Sequence, residues 1–188
     1  MSVDFIKRFQ MVFDAAKRPL SVPRLLLPFR LIQWRSDLSN VHAQVKYESF
    51  HNEPDAHLFP TFQDHERCRL LMNAIASNPN FIPQATWLIA EIMPQTDQTM
   101  LLRYIAGIQG MRLSEDCGAI QNVAVLPEFR RRGIGTQLLT ASLNGFKSVG
   151  ISRVSLEVTA ENNAAVRLYE KIGFDIAGTN YREVFRKR

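Results

Sequence analysis

The feature that most restricts the fold is a turn rich in arginine and glycine that joins an apolar run to a helical pattern. The apolar run ends at Val125, Pro127 interrupts it, and arginines at positions 130–132 precede Gly133 and Gly135 at the start of an amphipathic helix. The first turn of a helix has unpaired backbone N–H groups, and glycine lets an oxygen-rich group approach them closely. The segment therefore predicts a strand, a diphosphate-binding turn and a helix. The arginines add positive charge to the turn, although an arginine that points outward is simply solvated.

Two familiar phosphate-binding loops do not match this turn. A Walker A loop ends in Gly-Lys-Ser/Thr, whereas Gly135 is followed by Thr136 and Gln137. A dinucleotide fingerprint has a third glycine where this chain has Leu138, and it belongs to the first βα unit of a parallel sheet. A Gly-x-Gly pair by itself is weak evidence, so the context of the turn decides its meaning.

A second motif follows about thirty residues later, over residues 162–174. Arg130, Gly133 and Gly135, after their strand, resemble the Gln/Arg-x-x-Gly-x-Gly/Ala signature of the GNAT superfamily of acyl-CoA-dependent N-acetyltransferases. Residues 162–174 are similar to the second motif of that superfamily, and the two motifs have the expected order and spacing. The resemblance covers residues 117 to about 176. It implies the α/β GNAT fold, with a mixed central sheet of about seven strands flanked by about four helices.

The spacing of apolar residues, alternating in some segments and helical in others, also predicts seven strands and four helices along the chain. The predicted strands are residues 29–34, 86–91, 101–110, 119–125, 153–158, 174–177 and 181–185. The predicted helices are residues 39–50, 62–77, 133–147 and 163–172. We therefore expect a GNAT acetyltransferase domain over residues 29–188.

Residues 1–28 lie outside the resemblance. Helical spacing of apolar residues predicts a basic amphipathic leader helix over residues 2–18, and a proline-rich connection follows it. Residues 1–35 hold seven Lys or Arg against two Asp, an excess that equals the net charge of +5 of the whole chain. Such a helix is a mitochondrial presequence, a membrane-surface helix, or a helix packed on its own domain or on the second subunit of a homodimer. Its two aspartates and its scarcity of serine favour packing.

Composition excludes several classes of protein. The chain has 188 residues, 46% of them hydrophobic and 22% charged, which suits a packed globular core. No apolar run reaches the ~18 residues that a membrane-spanning helix needs. Two cysteines without a CxxC motif exclude a disulfide scaffold and a zinc ribbon, and they favour reduced thiols in the cytoplasm. Because the positive charge is uneven, we expect neither a nucleic-acid nor a membrane partner.

No metal site is predicted. Residues 51–57 contain two histidines and two carboxylates, but no helical or hairpin spacing brings them together. His65 and Cys68 lie three residues apart on a predicted helix, and two ligands are too few.

The resemblance implies acetyl-CoA as the co-substrate. In the superfamily, the pantetheine arm lies between the fourth and fifth strands of the core and pairs with the backbone of the fourth, which here supplies Val123, Ala124 and Val125. Val123 and Val125 also fit plain strand core, and a backbone N–H near Val125 is expected to stabilise the oxyanion. Asn162 contacts the cofactor in the superfamily and also suits a helix cap. The residues expected around the pyrophosphate are Arg130, Arg131, Arg132, Gly133, Ile134, Gly135 and Thr136.

Two catalytic residues follow from motif position. Tyr169 occupies the position of the general-acid tyrosine of the family, and the alternative is that it fills an apolar helix stripe. Glu157 has a placement similar to the base glutamate of the ribosomal-protein alanine N-acetyltransferase branch. It is either the general base or a residue that faces solvent or pairs with an arginine.

The implied reaction is transfer of the acetyl group to a primary amine by direct attack in a ternary complex. The amine belongs to a protein N-terminus, a lysine or a small molecule. Residues 36–115, which include the presumed acceptor wall, have a net charge of −4, so a cationic acceptor is expected. One alternative is a catalytically silent acyl-CoA-binding regulatory or interaction module, which an assay of CoA release with a panel of amines separates. Another is a nucleotide site, which competition of ATP or NAD against CoA separates.

Overall fold

The computed structural model describes residues 2–53, 59–95 and 99–186. The strands are β1 (Ser2–Asp14), β2 (Phe29–Gln33), β3 (Phe81–Pro94), β4 (Met100–Arg112), β5 (Cys117–Val125), β6 (Arg153–Thr159) and β7 (Asp175–Arg186). The helices are α1 (Ser39–Phe50), α2 (His65–Ala76), α3 (Ile134–Ser148) and α4 (Asn163–Ile172). Short 3-10 turns precede α1, α2 and α3.

All seven strands form one sheet in the order β2-β3-β4-β5-β6-β1-β7. Every neighbouring pair is antiparallel except β5 and β6, which are parallel and are connected through α3. Helices α1 and α2 cover one face of the sheet, where Val45 of α1 packs against Leu88 and Ala124. Helices α3 and α4 cover the other face, where Leu138 and Tyr169 join the largest apolar cluster. The predicted mixed α/β sheet with four helices is confirmed.

The first segment of the chain corrects the sequence prediction, because residues 2–14 form strand β1 and not a helix. β1 lies inside the sheet, where residues 8–14 pair with β6 and residues 2–12 pair with β7. Met11 and Phe13 are buried in the main core. Residues 2–14 are therefore part of the same sheet as the GNAT motifs and are not a leader outside it.

The apolar residues of this segment fit both the periodicity of a helix and that of a strand. Spacings of three and four residues among Phe5, Ile6, Phe9, Val12 and Phe13 favoured a helix, but the apolar residues at positions 3, 5, 9, 11 and 13 also fit the alternation of a strand. The connection over residues 15–28 contains neither helix nor strand.

The other predicted elements agree closely with the structure. The bounds of α1 and α4 are as predicted, α2 and α3 differ by at most three residues at either end, and β3 extends well beyond its predicted limits. The two short strands predicted at the end of the chain are one strand, β7. The number of strands is still seven because β1 replaces one of them.

Local signals explain where the last helix starts and stops. The Asn162 side chain accepts a hydrogen bond from the Ala165 N–H at 3.1 Å, which caps the first turn of α4. Gly173 follows α4 with φ of 112°, a conformation that favours glycine, and its N–H bonds the carbonyl of Tyr169. These two ends hold Tyr169 on the buried side of the helix.

Candidate active site

The parallel strands β5 and β6 separate after a short paired stretch. Their pairing covers three residue pairs, from Cys117 with Arg153 to Ala119 with Ser155. Beyond Ala119 a cavity of about 600 Å³ opens between them, and residues 120–123 and 156–159 line it. Since an unpaired strand edge exposes backbone N–H and C=O groups, this opening can accept an extended ligand as an additional strand.

A bulge in β5 lies at the mouth of this opening. Gly107 of β4 is opposite Ala124 and Gln109 is opposite Gln121, so Asn122 and Val123 together face a single residue of β4. Asn122 has φ of 54°, which is uncommon for a residue other than glycine. The bulge turns the following backbone relative to β4.

The backbone after the bulge points into the opening. The Leu126 N–H donates to the Ile105 carbonyl of β4 at 2.9 Å. Because successive residues of a regular strand point to opposite edges, the N–H group of Val125, which follows the bulge, is directed away from β4, toward β6. The sequence placed the cofactor pairing and the oxyanion contact on this strand, and the geometry suits both.

The glycine turn forms the N-terminus of α3. Gly133 precedes the helix with φ of 77°, and open space surrounds the position of a Cβ there. A Cβ on Gly135 would contact the Leu168 side chain of α4 at 3.0 Å, so this glycine permits close packing of α3 on α4. Ile134 is buried and Thr136 lies in the first turn of α3. No side chain caps the start of α3, so its first N–H groups, which have no acceptor within the helix, suit a diphosphate site.

The three arginines of the turn have different surroundings. Arg131, with φ of 60°, and Arg132 are exposed, and the Arg132 guanidinium lies 5.2 Å from the ring centre of Phe129. Arg130 instead bonds protein acceptors, donating to the carbonyls of Val125 at 3.0 Å and Ser49 at 2.8 Å.

Arg130 also forms an ion pair with Glu53 at 2.5 Å. These contacts connect the end of β5 to the end of α1. Of the three arginines, Arg131 and Arg132 are thus the better candidates for a phosphate contact, and Arg130 positions the strand and the loop.

Tyr169 projects from α4 into the cavity. Its side chain is buried and packs edge-on against Phe174, with ring centres 5.9 Å apart, while it lines the cavity beside Leu156 and Val158. Burial raises the pKa of the Tyr169 hydroxyl to about 12, although the nearby positive charge of Arg8 opposes this rise. The hydroxyl thus keeps its proton at neutral pH and can donate it.

Glu157 lies on the face of β6 that is opposite to the one packed against α3. Its carboxylate is 53% exposed and forms an ion pair with Arg8, with Oε2 at 3.4 Å from Nε. The structure therefore contains the arginine pairing that was the alternative to a general base. A carboxylate that lines the same cavity as Tyr169 still suits proton transfer, because an ion pair with an arginine does not prevent it from accepting a proton from an ammonium group.

Several cavity residues were missed because β1 was assigned as a helix. Arg8 and Gln10 of β1 and Arg182 of β7 line the same cavity as Glu157. Arg8 is opposite Thr159 of β6, and Gln10 is opposite Glu157. Alternation in residues 2–14 was the signal that could have placed them in a sheet, but it could not show which strand they join. Asn162 and Thr159 complete this side of the cavity.

The polar loop after α1 is only partly described. His51 stacks on Tyr47 with ring centres 4.7 Å apart, and its Nδ1 lies 3.0 Å from the Tyr47 carbonyl. Asp55 and His57, which the sequence analysis considered as metal ligands, lie outside the described residues. His65 contacts the Tyr47 ring edge-on, and Cys68 is buried. Within residues 2–53, 59–95 and 99–186, no three His, Cys, Asp or Glu residues are grouped to hold a metal ion.

A buried polar cluster lies between α1 and strand β4. The Gln109 amide lies 3.2 Å from His42 Nδ1, and Lys46 is fully buried on the same helix face. Burial and, to a smaller extent, the positive charge of Lys46 together lower the pKa of His42 to about 3. Burial also lowers the pKa of Lys46 to about 8, and Cys68 opposes this change. No described residue accepts a hydrogen bond from the Lys46 ammonium.

The family model of the acetyltransferase (GNAT) family matches residues 37–174, which is more than half of the chain. The chain belongs to this family. GNAT enzymes use acetyl-CoA, and the open strand pair, the bulge and the glycine turn of this chain fit that co-substrate. No helix among the described residues is long and apolar enough to cross a membrane.

Curated GNAT relatives match the motif-bearing part of the chain. An N-alpha-acetyltransferase from Sulfurisphaera tokodaii is 47% identical over 58 residues, which are 30% of this chain and 35% of that protein. A ribosomal protein bS18 alanine N-acetyltransferase from Salmonella typhimurium is 42% identical over 62 residues, which are 33% of this chain and 42% of that protein. The matches thus span less than half of either relative.

Solved structures share the whole GNAT fold of this chain. A GCN5-related N-acetyltransferase from Sphaerobacter thermophilus has a TM-score of 0.68 at 20% identity, over 97% of this chain and 51% of that one. Because the sequence identity is only 20%, this structural similarity establishes the fold and not the function. The match includes nearly all of the chain and therefore extends beyond the two motifs.

Proposed function

We propose that this chain is an acetyl-CoA-dependent N-acetyltransferase that transfers the acetyl group to a primary amine by direct attack in a ternary complex. The observation that carries this proposal is the opening between β5 and β6, whose cavity Tyr169 and Glu157 line, together with the N-terminus of α3, which follows β5 in the chain. We infer that an extended co-substrate follows one path, from a diphosphate site at this N-terminus along β5 to Tyr169 as the proton donor.

The proposed binding residues follow that path. The N–H groups at the start of α3, with Arg131 and Arg132, bind the pyrophosphate. Val123, Ala124 and Val125 bind the pantetheine arm through their backbone, and the N–H near Val125 stabilises the negative charge on the thioester oxygen. Asn162 both caps α4 and borders the cavity.

Two side chains then move protons. Glu157 accepts the proton of the acceptor ammonium, directly or through water, which makes the amine nucleophilic. Tyr169 donates its proton to the departing sulfur, and its pKa of about 12 keeps it protonated until then. The thioester itself is supplied by acetyl-CoA.

We propose only the chemical class of the acceptor, which is a primary amine. Protein N-termini, lysines and small amines share the same cofactor half of the reaction. The acceptor is predicted to be cationic, and its positive charge lies on the ammonium group. The carboxylate of Glu157, which lines the cavity, is complementary to that charge. Arg8 and Arg182 line the same cavity and oppose any further positive charge on the acceptor.

The cellular setting is also proposed from chemistry. Cys68 and Cys117 are both free thiols, as expected in the cytoplasm. The homodimer predicted from the first segment stays a prediction, although β1 pairs within its own chain. Sedimentation velocity of the full chain measures its mass directly.

The experiment that tests the function combines binding and turnover. Titration calorimetry of the full chain with CoA measures the site, and release of CoA from acetyl-CoA with a panel of amines measures transfer. We expect CoA to bind and at least one amine to stimulate release. Absence of any affinity for CoA would overturn the proposal, and binding without release by any amine would instead support the silent acyl-CoA-binding module. Preference for ATP or NAD over CoA would indicate a nucleotide site.

A further inference from the structure

Three charged side chains share one face of the sheet at the acceptor side of the cavity. Arg8 comes from β1, Glu157 from β6 and Arg182 from β7. Arg8 is opposite Thr159, two residues from Glu157, and Arg182 is opposite Ile6, two residues from Arg8. Opposite residues and residues two apart point to the same face, so the three side chains form one group, which we call the charged wall.

The Nε of Arg8 has no hydrogen-bond acceptor among the described residues. The side chain of Arg8 is 11% exposed, and this Nε is buried. Glu157 Oε2 lies 3.4 Å away, which is an ion pair but not a hydrogen bond. Since a buried N–H without an acceptor costs free energy, Arg8 is poised to bind an acceptor supplied by a ligand.

The guanidinium of Arg182 can also bind an acceptor supplied by a ligand. Its guanidinium lies 4.5 Å from the ring centre of Phe59, and the guanidinium of Arg8 lies 5.1 Å from the same ring. Among the described residues, no carboxylate lies within ion-pair distance of Arg182. Two guanidinium groups beside one ring repel each other unless an anion lies close to both.

The charges of the wall match those of a zwitterion. Two guanidinium groups and one carboxylate leave a positive excess, and the positive and negative groups adjoin each other. A ligand with an ammonium and a carboxylate a few bonds apart can place its ammonium near Glu157 and its carboxylate near Arg8 and Arg182. The planar guanidinium groups of these arginines suit the geometry of a carboxylate. Phe50, Phe59, Phe62 and Leu71 supply an apolar surface in the same cavity.

We infer that the acceptor is a free amino acid or a similar small amino-carboxylate, whose carboxylate binds Arg8 and Arg182 while its ammonium faces Glu157. This inference rests on the proposed function and specifies its substrate class. A peptide N-terminus does not satisfy the wall in the same way, because an uncharged amide replaces the carboxylate next to its ammonium.

The first arm of the test compares acceptors that differ only in this carboxylate. Phenylalanine and leucine are assayed beside phenylalaninamide and leucinamide, with acetyl-CoA, by CoA release from the full chain. Each kcat/KM is corrected for the fraction of free amine, because the amide has the lower ammonium pKa. We expect a preference of about tenfold or more for the amino acids, as for loss of a charge-assisted hydrogen bond.

The second arm uses Arg182→Gln and Arg182→Lys. Arg182 is exposed, so neither variant threatens the fold. Arg182→Gln should lower kcat/KM for the amino acids about tenfold and leave the amides and the KM for acetyl-CoA unchanged. Arg182→Lys should retain part of the preference. The matched control is Arg167→Gln, which removes an exposed arginine on α4 two residues from Tyr169, on the opposite side of the helix.

Each outcome bears on the inference. Equal kcat/KM for acids and amides, an equal loss for both in Arg182→Gln, or equal turnover of peptides would overturn it while leaving the acetyltransferase function intact. A preference for succinyl-CoA over acetyl-CoA that Arg182→Gln abolishes would place the carboxylate on the acyl group and would also overturn it. No CoA release with any amine would refute the proposed function itself.

Discussion

Replacement of Lys46 by methionine tests the electrostatics of the buried polar cluster under α1. Lys46 is fully buried in α1, and no described residue accepts a hydrogen bond from its ammonium. Burial lowers its pKa from 10.5 to about 8. At ~1.36 kcal/mol per pKa unit, this change corresponds to about 3 kcal/mol by which the charged lysine destabilises the native protein at neutral pH. Lys46→Met keeps the length of the side chain and removes the charge, so it should stabilise the protein by about that amount at pH 7.

The gain should depend on pH in a defined direction. The unfolded chain holds the Lys46 proton up to pH 10.5 and the native protein only up to about pH 8. The unfolded state therefore binds more protons between these values, and the stability of the wild type rises with pH. The advantage of Lys46→Met should fall to about 2 kcal/mol at pH 9 and to less than about 1 kcal/mol at pH 10.

Urea unfolding at fixed ionic strength, with thiols reduced, measures this series at pH 7, 8, 9 and 10. Lys147→Met, at an exposed position near the end of α3, is the matched control and should change the free energy of unfolding by less than about 0.5 kcal/mol at each pH. A variant that is destabilised at pH 7, or whose gain is equal at pH 7 and pH 10, would show that the ammonium has acceptors in the native protein.

Four further predictions concern the sheet and the site. Deletion of residues 2–14 should abolish cooperative unfolding, measured by circular dichroism, because it removes an internal strand; a soluble protein with the parent melting temperature would contradict the placement of β1. Gly145→Ala should destabilise the protein by about 3 kcal/mol in urea, since its Cβ would lie 1.9 Å from the Gln84 carbonyl oxygen; a change below about 1 kcal/mol would refute this close packing. Tyr169→Phe should lower kcat by about 10²-fold or more at unchanged KM for acetyl-CoA, and equal losses in both would argue against the acid role. Glu157→Gln should lower kcat by a similar factor of about 10², whereas wild-type rates would dismiss the base.

Helix α4 and the turn before α3 could be predicted from the sequence because their signals are local. Asn162 caps α4 and Gly173 ends it, so both bounds follow from residues within one turn of the helix. Gly133 marks the start of α3 in the same way, through a backbone conformation that glycine adopts easily. The order and spacing of the two sequence motifs were then sufficient to predict the GNAT fold.

The bulge and the opening of the site required the structure. Asn122 and Val123 share one partner in β4, and this mismatch depends on the register between two strands. The separation of β5 from β6 depends on how far a parallel pair stays in contact. Arg130 belonged to the predicted phosphate turn, yet its guanidinium bonds Ser49, which is 81 residues away in the sequence. No local pattern specifies such contacts.

The N-terminal segment shows most clearly what the sequence alone determined and what tertiary structure decided. Residues 2–14 are apolar at positions that fit both a helix and a strand, so the sequence determined that this segment buries one face but not its conformation. Pairing with β6 and β7 decided it, because the hydrogen bonds of a strand come from residues far away in the chain, whereas those of a helix come from within it. The same pairing places Arg8 beside Glu157, so the charge of the acceptor side also follows from long-range contacts.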